Sequence, residues 1–248
     1  KGKKPLFQSV KGMHDILPQE QPYWDKVRKT VGELADYYNF HRIDTPIIER
    51  AELFERTSGE SSETIEKQMF VFKDKDDNRM ALRPEGTASV ARAYIQHGLS
   101  HLAHPLKLYY IWPMFRYEQP QAGRARQHYQ IGFEILGDNS DQIYDAQIIL
   151  IAYRTAEELK IPKLSVQINS IGCKNCRPGY KKKLLEYYKN QEACKDCKLR
   201  ITINPLRVLD CKNEACQPIK QNAPTMIDSL CGNCNNHFKS VLEYLEEL

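Results

Sequence analysis

The chain has 248 residues, 41% of them hydrophobic and 10% aromatic, which is enough for one large domain or two ordinary ones with a packed core. No apolar run approaches the roughly 20 residues of a membrane-spanning helix, so the sequence excludes an integral membrane protein and predicts a soluble one. The net charge of +4 is too small to indicate a nucleic-acid-binding protein by itself. The opening KGKKPLFQSVKG has no apolar signal-peptide core, which predicts a cytoplasmic location.

The first predicted elements are a helix, a strand and a hairpin. Apolar residues recur at three- and four-residue intervals from Trp24 to Tyr38, which predicts an amphipathic helix ending near Asn39. FHRIDTPIIE (40–49) is rich in β-favouring residues, and its Pro46 favours an edge strand. QMFVF and RMALR flank the turn-forming KDKDDN and predict a β-hairpin.

The segment LRPEGTASVARAYIQHG (82–98) predicts a strand end, a turn and a helix. The turn runs from Pro84 to Gly86, Thr87 is expected to cap the helix, and Gly98 is expected to close it. Glu85 is left at the mouth of a loop, where it can bind a ligand. The alternative is that its charge only interacts favourably with the helix dipole.

A second hairpin is predicted from LKLYYIWPMFRYE (106–118) and QIGFEIL (130–136). In QIGFEIL the apolar residues occupy one face, and Gln130, Gly132 and Glu134 occupy the other. Residues two apart share a face, so Gln130 and Glu134 are expected to point the same way about 13 Å apart, with open space above Gly132. This pattern predicts a groove for a polar ligand.

Three arginines are expected beside this groove. Arg116 ends the incoming strand, and Arg124 and Arg126 rise from the loop. A guanidinium group can hold phosphate or carboxylate oxygens with two hydrogen bonds. The alternative is a solvated hairpin whose charges only keep the protein soluble.

Composition changes near residue 161, because all eight cysteines lie between Cys173 and Cys234. A helix is predicted from about Asp141 to Lys160, begun by a cap region at Asp138 and Ser140. The sequence therefore predicts a first domain at 1–160 and a cysteine-rich second domain at 161–248. Strand runs followed by helices predict an α+β fold with an antiparallel sheet.

The cysteines form the close pairs CKNC, CKDC, CKNEAC and CGNC. Such pairs in an apparently cytosolic chain more often hold a metal than form disulfides, and two pairs can supply the four thiolates of a structural Zn²⁺ site. Reduced cysteines without metal are the alternative, and spacing alone leaves the pairing of the four motifs open. The preferred ligands are Cys173, Cys176, Cys231 and Cys234, with Cys194, Cys197, Cys211 and Cys216 as a second site, giving one or two zinc ions per chain.

Several motifs carry a family resemblance. FRYE (115–118), GRARQ (123–127) and QIGFE (130–134) resemble motif 2 of class II aminoacyl-tRNA synthetases. LRPEGTA (82–88) and KGMHDILP (11–18) resemble histidyl-tRNA synthetases in particular, PIIERAELFER (46–56) is similar to their motif 1 region, and NPLRVLDCK (204–212) to their insertion domain. The resemblance spans nearly the whole chain. It implies a class II sheet flanked by helices, with a cysteine-rich insertion domain.

This resemblance implies an aminoacyl-tRNA ligase that uses ATP with Mg²⁺ to convert histidine to histidyl-adenylate and then transfers histidine to tRNA(His), as a homodimer. Arg116 would be the catalytic residue, bridging the ATP α-phosphate and the amino-acid carboxylate. His128 would offer its ring to adenine, at a position where the family more often has phenylalanine. The remaining histidine-binding residues would be Glu85, Gly86, Thr87, Gln130 and Glu134, and the remaining ATP-binding residues would be Glu118, Arg124 and Arg126.

The resemblance also implies regions that this chain does not contain. A second histidine-recognition motif, motif 3 and an anticodon-binding domain would follow the insertion domain, so the chain alone is expected to be weakly active or inactive. One alternative is a catalytically silent synthetase-like paralogue, such as the regulatory subunit of ATP phosphoribosyltransferase, which should have lost residues of the substrate site. Another is a zinc-stabilised RNA-binding module, whose groove would stay empty. Binding of ATP and histidine distinguishes these functions.

Eleven Lys or Arg residues and three Asp or Glu residues lie between Lys160 and Arg200. This basic segment could contact the phosphates of a tRNA acceptor arm. For KKKLLEYYK within it, a solvated helix face is an equally good explanation.

Overall fold

A computed structural model describes residues 7–57, 68–137 and 141–247. The chain divides into two compact units, Lys1–Ser140 with Ile151–Pro162 and Asp141–Leu150 with Lys163–Leu248. The predicted domain boundary near residue 161 lies beside this division, but the second unit also takes in part of the preceding helix. The assignment of 1–160 and 161–248 as domains stays a prediction.

The first unit begins with helix α1, Gln21–Tyr37, which buries Val31 and Ala35. Pro22 lies in its first turn, where no backbone N–H is needed. Asn39, just beyond the helix, has a φ of 59°, a left-handed conformation that asparagine tolerates and that stops helix propagation. The predicted helix and its predicted end are confirmed.

One sheet of this unit contains β1 (His41–Arg42), β5 (Leu106–Phe115) and β6 (Gln127–Leu136) in the order β1-β5-β6. The hairpin of β5 and β6 is antiparallel, as predicted, and pairs ten residues on each strand. The prediction of an antiparallel sheet is nevertheless wrong in part, because β1 pairs with β5 in parallel and the sheet is mixed. The long connection between these two strands lets the chain cross over and return in the same direction.

A second sheet contains β2 (Ile48–Arg50), β3 (Phe70–Lys73) and β4 (Arg79–Leu82) in the antiparallel order β2-β4-β3. The hairpin of β3 and β4 confirms the prediction, and Asp74 organises its turn by accepting hydrogen bonds from the backbone N–H groups of Asp76 and Asn78. The segment FHRIDTPIIE was predicted as one strand and is two short ones, β1 and β2. Pro46 lies in the break and cannot donate a ladder hydrogen bond.

Two helices contact these sheets, α2 (Ala51–Thr57) and α3 (Thr87–Gln96), and α4 (Ile143–Glu158) follows β6 along the chain. Gly98 follows α3 with a φ of 61°, which confirms it as the closing residue. Helix α4 is also confirmed, and the side chain of Asp141 accepts a hydrogen bond from Ile143 N at 3.0 Å at its start. The predicted cap residues Asp138 and Ser140 lie outside the described residues.

In the second unit the described part beyond α4 is helical, with α5 (Cys176–Lys189), α6 (Lys195–Ile203), α7 (Gln217–Gln221) and α8 (Gly232–Glu247). Three 3₁₀ turns link these helices, Pro205–Asp210, Glu214–Cys216 and Ile227–Ser229. Four of the eight cysteines belong to its buried core, which also includes Tyr180, Leu184, Tyr188, Val208 and Met226. Over the whole described chain, no helix is both long enough and apolar enough to cross a bilayer.

Candidate functional site

The predicted groove on β6 is filled at its centre by an aromatic ring. Tyr110 on β5 lies directly opposite Gly132 in the strand register and is 4% exposed. A Cβ atom built on Gly132 would lie 2.1 Å from Tyr110 Cζ, and one built on Gly86 would lie 2.3 Å from the same atom. The predicted open space above Gly132 is therefore wrong, because Tyr110 occupies it. Both glycines are required by this close approach.

Glu134 accepts two hydroxyl hydrogen bonds. Thr87 Oγ1 donates to Glu134 Oε1 at 2.8 Å, and Tyr110 Oη donates to the same oxygen at 3.4 Å. Burial raises the pKa of Glu134, the two hydroxyl donors lower it, and the charge of Glu85 raises it. Burial also raises the pKa of Tyr110, with further contributions from Glu134 and Glu85. Two carboxylates and two hydroxyls thus form one partly buried polar cluster.

Glu85 occupies the start of α3 rather than standing free at a loop mouth. Its carboxylate accepts a hydrogen bond from the backbone N–H of Ala88 at 3.0 Å. Gly86 is the N-cap residue, so the prediction that Thr87 caps the helix is wrong. The hydroxyl of Thr87 is directed to Glu134 instead. The helix-terminal interpretation of Glu85 is supported, and its other carboxylate lone pairs remain able to accept from a ligand.

Arg116 lies next to this cluster. Its Nε donates to the carbonyl of Pro84 at 2.8 Å, one residue before Glu85. Its backbone N–H donates to Arg126 O at 2.8 Å and continues the hairpin ladder. The guanidinium is therefore attached on one side to the turn that carries Glu85, while its remaining N–H groups can bind an anion.

Most charged side chains of the loop between β5 and β6 contact other residues of the same loop. Arg124 forms an ion pair of 3.5 Å with Glu118. Arg126 lies over the ring of Tyr117 at 3.8 Å, and its Nε donates to Glu118 O at 3.2 Å. The carbonyl of Gly12 accepts from the backbone N–H of Arg126 at 2.7 Å, so the segment of KGMHDILP also contacts this loop. These contacts stabilise the loop independently of any ligand.

A cavity of about 630 Å³ opens beside the loop. It is lined by Arg124 and His128 from the hairpin, Trp24 from α1, and Asp15 from the segment before it. Burial lowers the pKa of His128, and the nearby charge of Arg116 lowers it further, which favours a neutral imidazole ring. A neutral aromatic ring at the wall of a cavity is suited to contact with a planar base.

The structure brings the predicted site residues into two neighbouring groups. Glu85, Thr87 and Glu134 form one, and Arg124 and His128 line the cavity of the other. Arg116 connects the two groups, because its side chain donates a hydrogen bond to the Pro84 carbonyl and its charge lowers the pKa of His128. Gln130 lies opposite Trp112 on β5, four residues from Glu134 as predicted. Glu118 and Arg126 contact the loop itself.

Sequence reasoning missed an aromatic stack on β5. The rings of Tyr110 and Trp112 stack at 4.1 Å with an interplanar angle of 18°, and the guanidinium of Arg83 lies 4.4 Å from the Trp112 centroid. Arg83 is 2% exposed and donates to the carbonyls of Thr45 and Pro113. The alternation in LKLYYIWPMF does place Tyr110 and Trp112 on one face. Their position opposite the polar face of β6 required the register.

The eight cysteines form two groups of four, Cys173, Cys176, Cys231 and Cys234, and Cys194, Cys197, Cys211 and Cys216. Within each group the sulfur atoms lie within 4.8 Å of one another, including 3.6 Å for Cys173 to Cys176 and 3.9 Å for Cys194 to Cys211. Tetrahedral zinc with Zn–S bonds of about 2.3 Å would separate its sulfurs by about 3.8 Å. A disulfide requires about 2.05 Å, so all eight cysteines are free.

Backbone amides surround these sulfurs. Cys231 N donates to Cys176 Sγ at 3.0 Å, and Cys194 N donates to Cys216 Sγ at 3.3 Å. Hydrogen bonds from the Asn175 and Cys176 amides lower the pKa of Cys173 to about 6, whereas burial raises the pKa of Cys234 to about 12. Four clustered thiols cannot all ionise without a compensating cation, and a divalent metal supplies that charge. The donor sets fit zinc.

The mixed sheet flanked by helices, together with the carboxylate cluster and Arg116 on adjoining elements, defines the fold of a class II aminoacyl-tRNA synthetase. Residues 12–174 match the family model described as histidyl-tRNA synthetase. The chain therefore belongs to the histidyl-tRNA synthetase family.

Similar proteins agree with this assignment. The histidine–tRNA ligase of Dehalococcoides mccartyi strain 195 is 46% identical over 242 residues, covering 97% of this chain and 58% of the relative. That of Thermodesulfovibrio yellowstonii is 46% identical over 244 residues, with 98% and 58% covered. The chain thus spans less than two thirds of the length of these curated relatives.

Solved structures show the same similarity. The apo histidyl-tRNA synthetase of S. aureus has a TM-score of 0.73 and 31% identity, with 98% of this chain and 55% of that chain covered. A Bacillus halodurans protein described as an ATP phosphoribosyltransferase regulatory subunit/histidyl-tRNA synthetase has a TM-score of 0.67 and 20% identity, with 99% and 66% covered. The second match supports the fold alone.

Proposed function

We propose that this chain carries the motif 1 and motif 2 regions of a histidine–tRNA ligase, which activates histidine with ATP and Mg²⁺ and transfers it to tRNA(His). The observation that carries this proposal is the cluster of Glu85, Thr87 and Glu134 beside Arg116, linked through the 2.8 Å bond from Arg116 to Pro84. The cluster offers acceptors for the ammonium and imidazole N–H groups of histidine, and Arg116 offers donors for its carboxylate. Family membership supports the same reading.

Activation needs positioning and charge neutralisation more than a protein nucleophile, because the histidine carboxylate itself attacks the α-phosphate. Arg116 would contact both the carboxylate and the α-phosphate and stabilise the charge that develops between them. Arg124, Arg126 and Glu118 would lie along ATP, with His128 against adenine. Mg²⁺ would be held largely by phosphates and water and would neutralise phosphate charge.

Gly86 and Gln130 complete the proposed histidine site. Gly86 admits the ring of Tyr110, and Gln130 shares the face of β6 that carries Glu134. Partly buried acceptors of this kind would remain unpaired with an amino acid that lacks the matching N–H groups. Such a site discriminates against those amino acids by several orders of magnitude.

A silent synthetase-like paralogue is less well supported. Glu85, Thr87, Arg116 and Glu134 are all present and arranged around one site, whereas a silent paralogue should have lost some of them. The 20% identity to the Bacillus halodurans protein concerns the fold only. An RNA-binding module would not need the carboxylate cluster.

The test measures histidine-dependent exchange of pyrophosphate into ATP, in this chain and in a chain extended to the length of its relatives. We expect exchange in the extended protein with histidine and none with phenylalanine, and little in the 248-residue chain. Calorimetric titration with ATP and with histidine measures the affinity of both the 248-residue chain and the extended chain for each ligand. An extended, folded protein that exchanges with no amino acid would contradict an enzymatic function, and a preference for another amino acid would contradict histidine.

We also propose that each group of four cysteines holds one structural Zn²⁺. The sulfur separations and thiolate-stabilising amides of both groups support this, and each site would close a loop of the second unit. Structural zinc would compensate for the small helical core of this unit. The basic segment between Lys160 and Arg200 is proposed to approach tRNA phosphates.

A homodimer is proposed through the region of α1 and the strand after Pro46. Tyr23 and Tyr37 on α1 are 76% and 74% exposed, and Ile47 and Ile48 are 43% and 44% exposed. A twofold interface would cover such residues. We expect light scattering at micromolar concentration to give a mass twice the 28.9 kDa of the chain.

The dimer prediction is checked with a double substitution, Tyr23→Glu with Ile48→Glu, which should shift the mass to that of one chain. Lys75→Glu, on the exposed turn of the second sheet, is the control and should leave the mass unchanged. A monomeric wild-type chain would speak against this interface.

A further inference from the structure

Tyr110 is the most buried of the four side chains in the Glu134 cluster. It is 4% exposed, and its ring lies between Gly86 and Gly132, with Trp112 stacked on it. Arg83 covers Trp112, and Trp112 Nε1 donates to Asp44 Oδ1 at 2.9 Å. The position of the Tyr110 hydroxyl is therefore determined by packing in the sheet rather than by a loop.

The two hydroxyl donors to Glu134 meet at one oxygen. Tyr110 Oη and Thr87 Oγ1 both donate to Oε1, and among the described residues no protein group donates to Oε2. An acceptor oxygen in a half-buried site needs a donor when the carboxylate is charged. Oε2 is therefore the oxygen that remains for a ligand.

We propose that Tyr110 is a positioning residue, which together with Thr87 holds Oε1 of Glu134 so that Oε2 accepts an N–H group of the amino-acid substrate. The ligand chemistry is a nitrogen donor, either an ammonium or an imidazole N–H. This inference rests on the proposed function, because it assumes that the cluster binds the amino acid.

Tyr110 has a second effect, on the charge of Glu134. Three residues face this carboxylate, Glu85 from the turn before α3, Thr87 from α3 itself and Tyr110 from β5. Burial and the charge of Glu85 favour the protonated form, whereas both hydroxyl donors favour the ionised form. Removing the Tyr110 hydroxyl should therefore raise the pKa of Glu134. A protonated Glu134 would be a poorer acceptor for the substrate N–H.

The first experiment compares Tyr110→Phe with wild type in a protein extended to the length of its relatives. We expect the KM for histidine in pyrophosphate exchange to rise about tenfold, because a hydrogen bond to a charged group is lost, while the KM for ATP changes less than about twofold. The rise should increase as pH falls. Tyr109→Phe is the matched control, since Tyr109 is the adjacent strand residue and its ring contacts Phe133 instead.

The second experiment measures the pKa of Glu134 by ¹³C NMR in the 248-residue chain, with the signal assigned from Glu134→Gln. Tyr110→Phe should raise this pKa by at least about half a unit, an effect that loss of packing alone would not produce. Tyr109→Phe should leave it unchanged. Melting curves of both variants verify folding.

The outcomes separate the two proposals. A histidine-dependent wild type with an unchanged KM and an unchanged Glu134 pKa in Tyr110→Phe would overturn the role of Tyr110 and leave the proposed function standing. A wild type without histidine dependence would overturn the proposed function. In that case a higher Glu134 pKa in Tyr110→Phe would still show that the Tyr110 hydroxyl lowers the pKa of this carboxylate. An unchanged Glu134 pKa in Tyr110→Phe would refute this effect of Tyr110 as well.

Discussion

Arg116→Ala is expected to lower histidine-dependent pyrophosphate exchange by at least about two orders of magnitude in a protein of full family length, because it removes charge stabilisation at the reacting oxygens. Arg116 is the residue that joins the Glu85 turn to the cavity beside His128. No other arginine on the hairpin is placed to do this. Arg124 is paired with Glu118, and Arg126 lies over Tyr117.

The controls address folding and charge. Arg116→Ala leaves the Pro84 carbonyl without its donor, so melting must be measured beside exchange. Arg116→Lys retains one positive charge and should be more active than Arg116→Ala. Its activity should stay below that of wild type, because an ammonium group cannot make the two parallel hydrogen bonds by which a guanidinium group holds a carboxylate or phosphate. Arg207→Ala removes an exposed arginine of the second unit and should leave exchange unchanged, since this step needs no tRNA. Near-normal exchange in a folded Arg116→Ala protein would refute the assignment.

Removal of zinc is expected to unfold the second unit. Structural zinc contributes about 10–16 kcal/mol in small zinc domains, which is comparable with or larger than the roughly 5–15 kcal/mol stability of a whole protein domain. Metal analysis of protein purified without chelator should find two zinc ions per chain, one for each group of four sulfurs. A strong chelator should then abolish the thermal transition of the second unit. The first unit contains no cysteine and serves as an internal control.

Substitutions test the two sites separately. Cys173→Ser with Cys231→Ser should lower the zinc content by one ion, and Cys194→Ser with Cys211→Ser should do the same for the other group. Lys195→Ser, directly beside Cys194, should change neither zinc content nor melting. Protein without zinc whose melting is insensitive to chelator would show that the reduced cysteines pack without metal.

The predictions made from local sequence patterns were confirmed for elements whose formation depends on those patterns. Helix α1 follows from its 3.6-residue periodicity, and the β3–β4 hairpin follows from a polar turn between two apolar runs. The second hairpin, including which residues of β6 share a face, follows from the two-residue period of a strand. The errors were of another kind. The parallel pairing of β1 with β5 and the hydrogen bond from Thr87 to Glu134 both depend on partners distant in the chain.

The sequence by itself determined the local helices and strands, the charged and polar side chains at 82–88 and 115–134, and the four cysteine pairs. Each of these features depends only on residues that are close together in the chain. Only the tertiary structure decided that Tyr110 enters the space between Gly86 and Gly132, and that the first cysteine pair meets the fourth while the second meets the third. These contacts join residues far apart in the chain, such as Cys173 and Cys231, which are 58 positions apart. The spacing of residues along the chain does not determine such contacts. They result from strand register and helix packing, and these depend on interactions throughout the core.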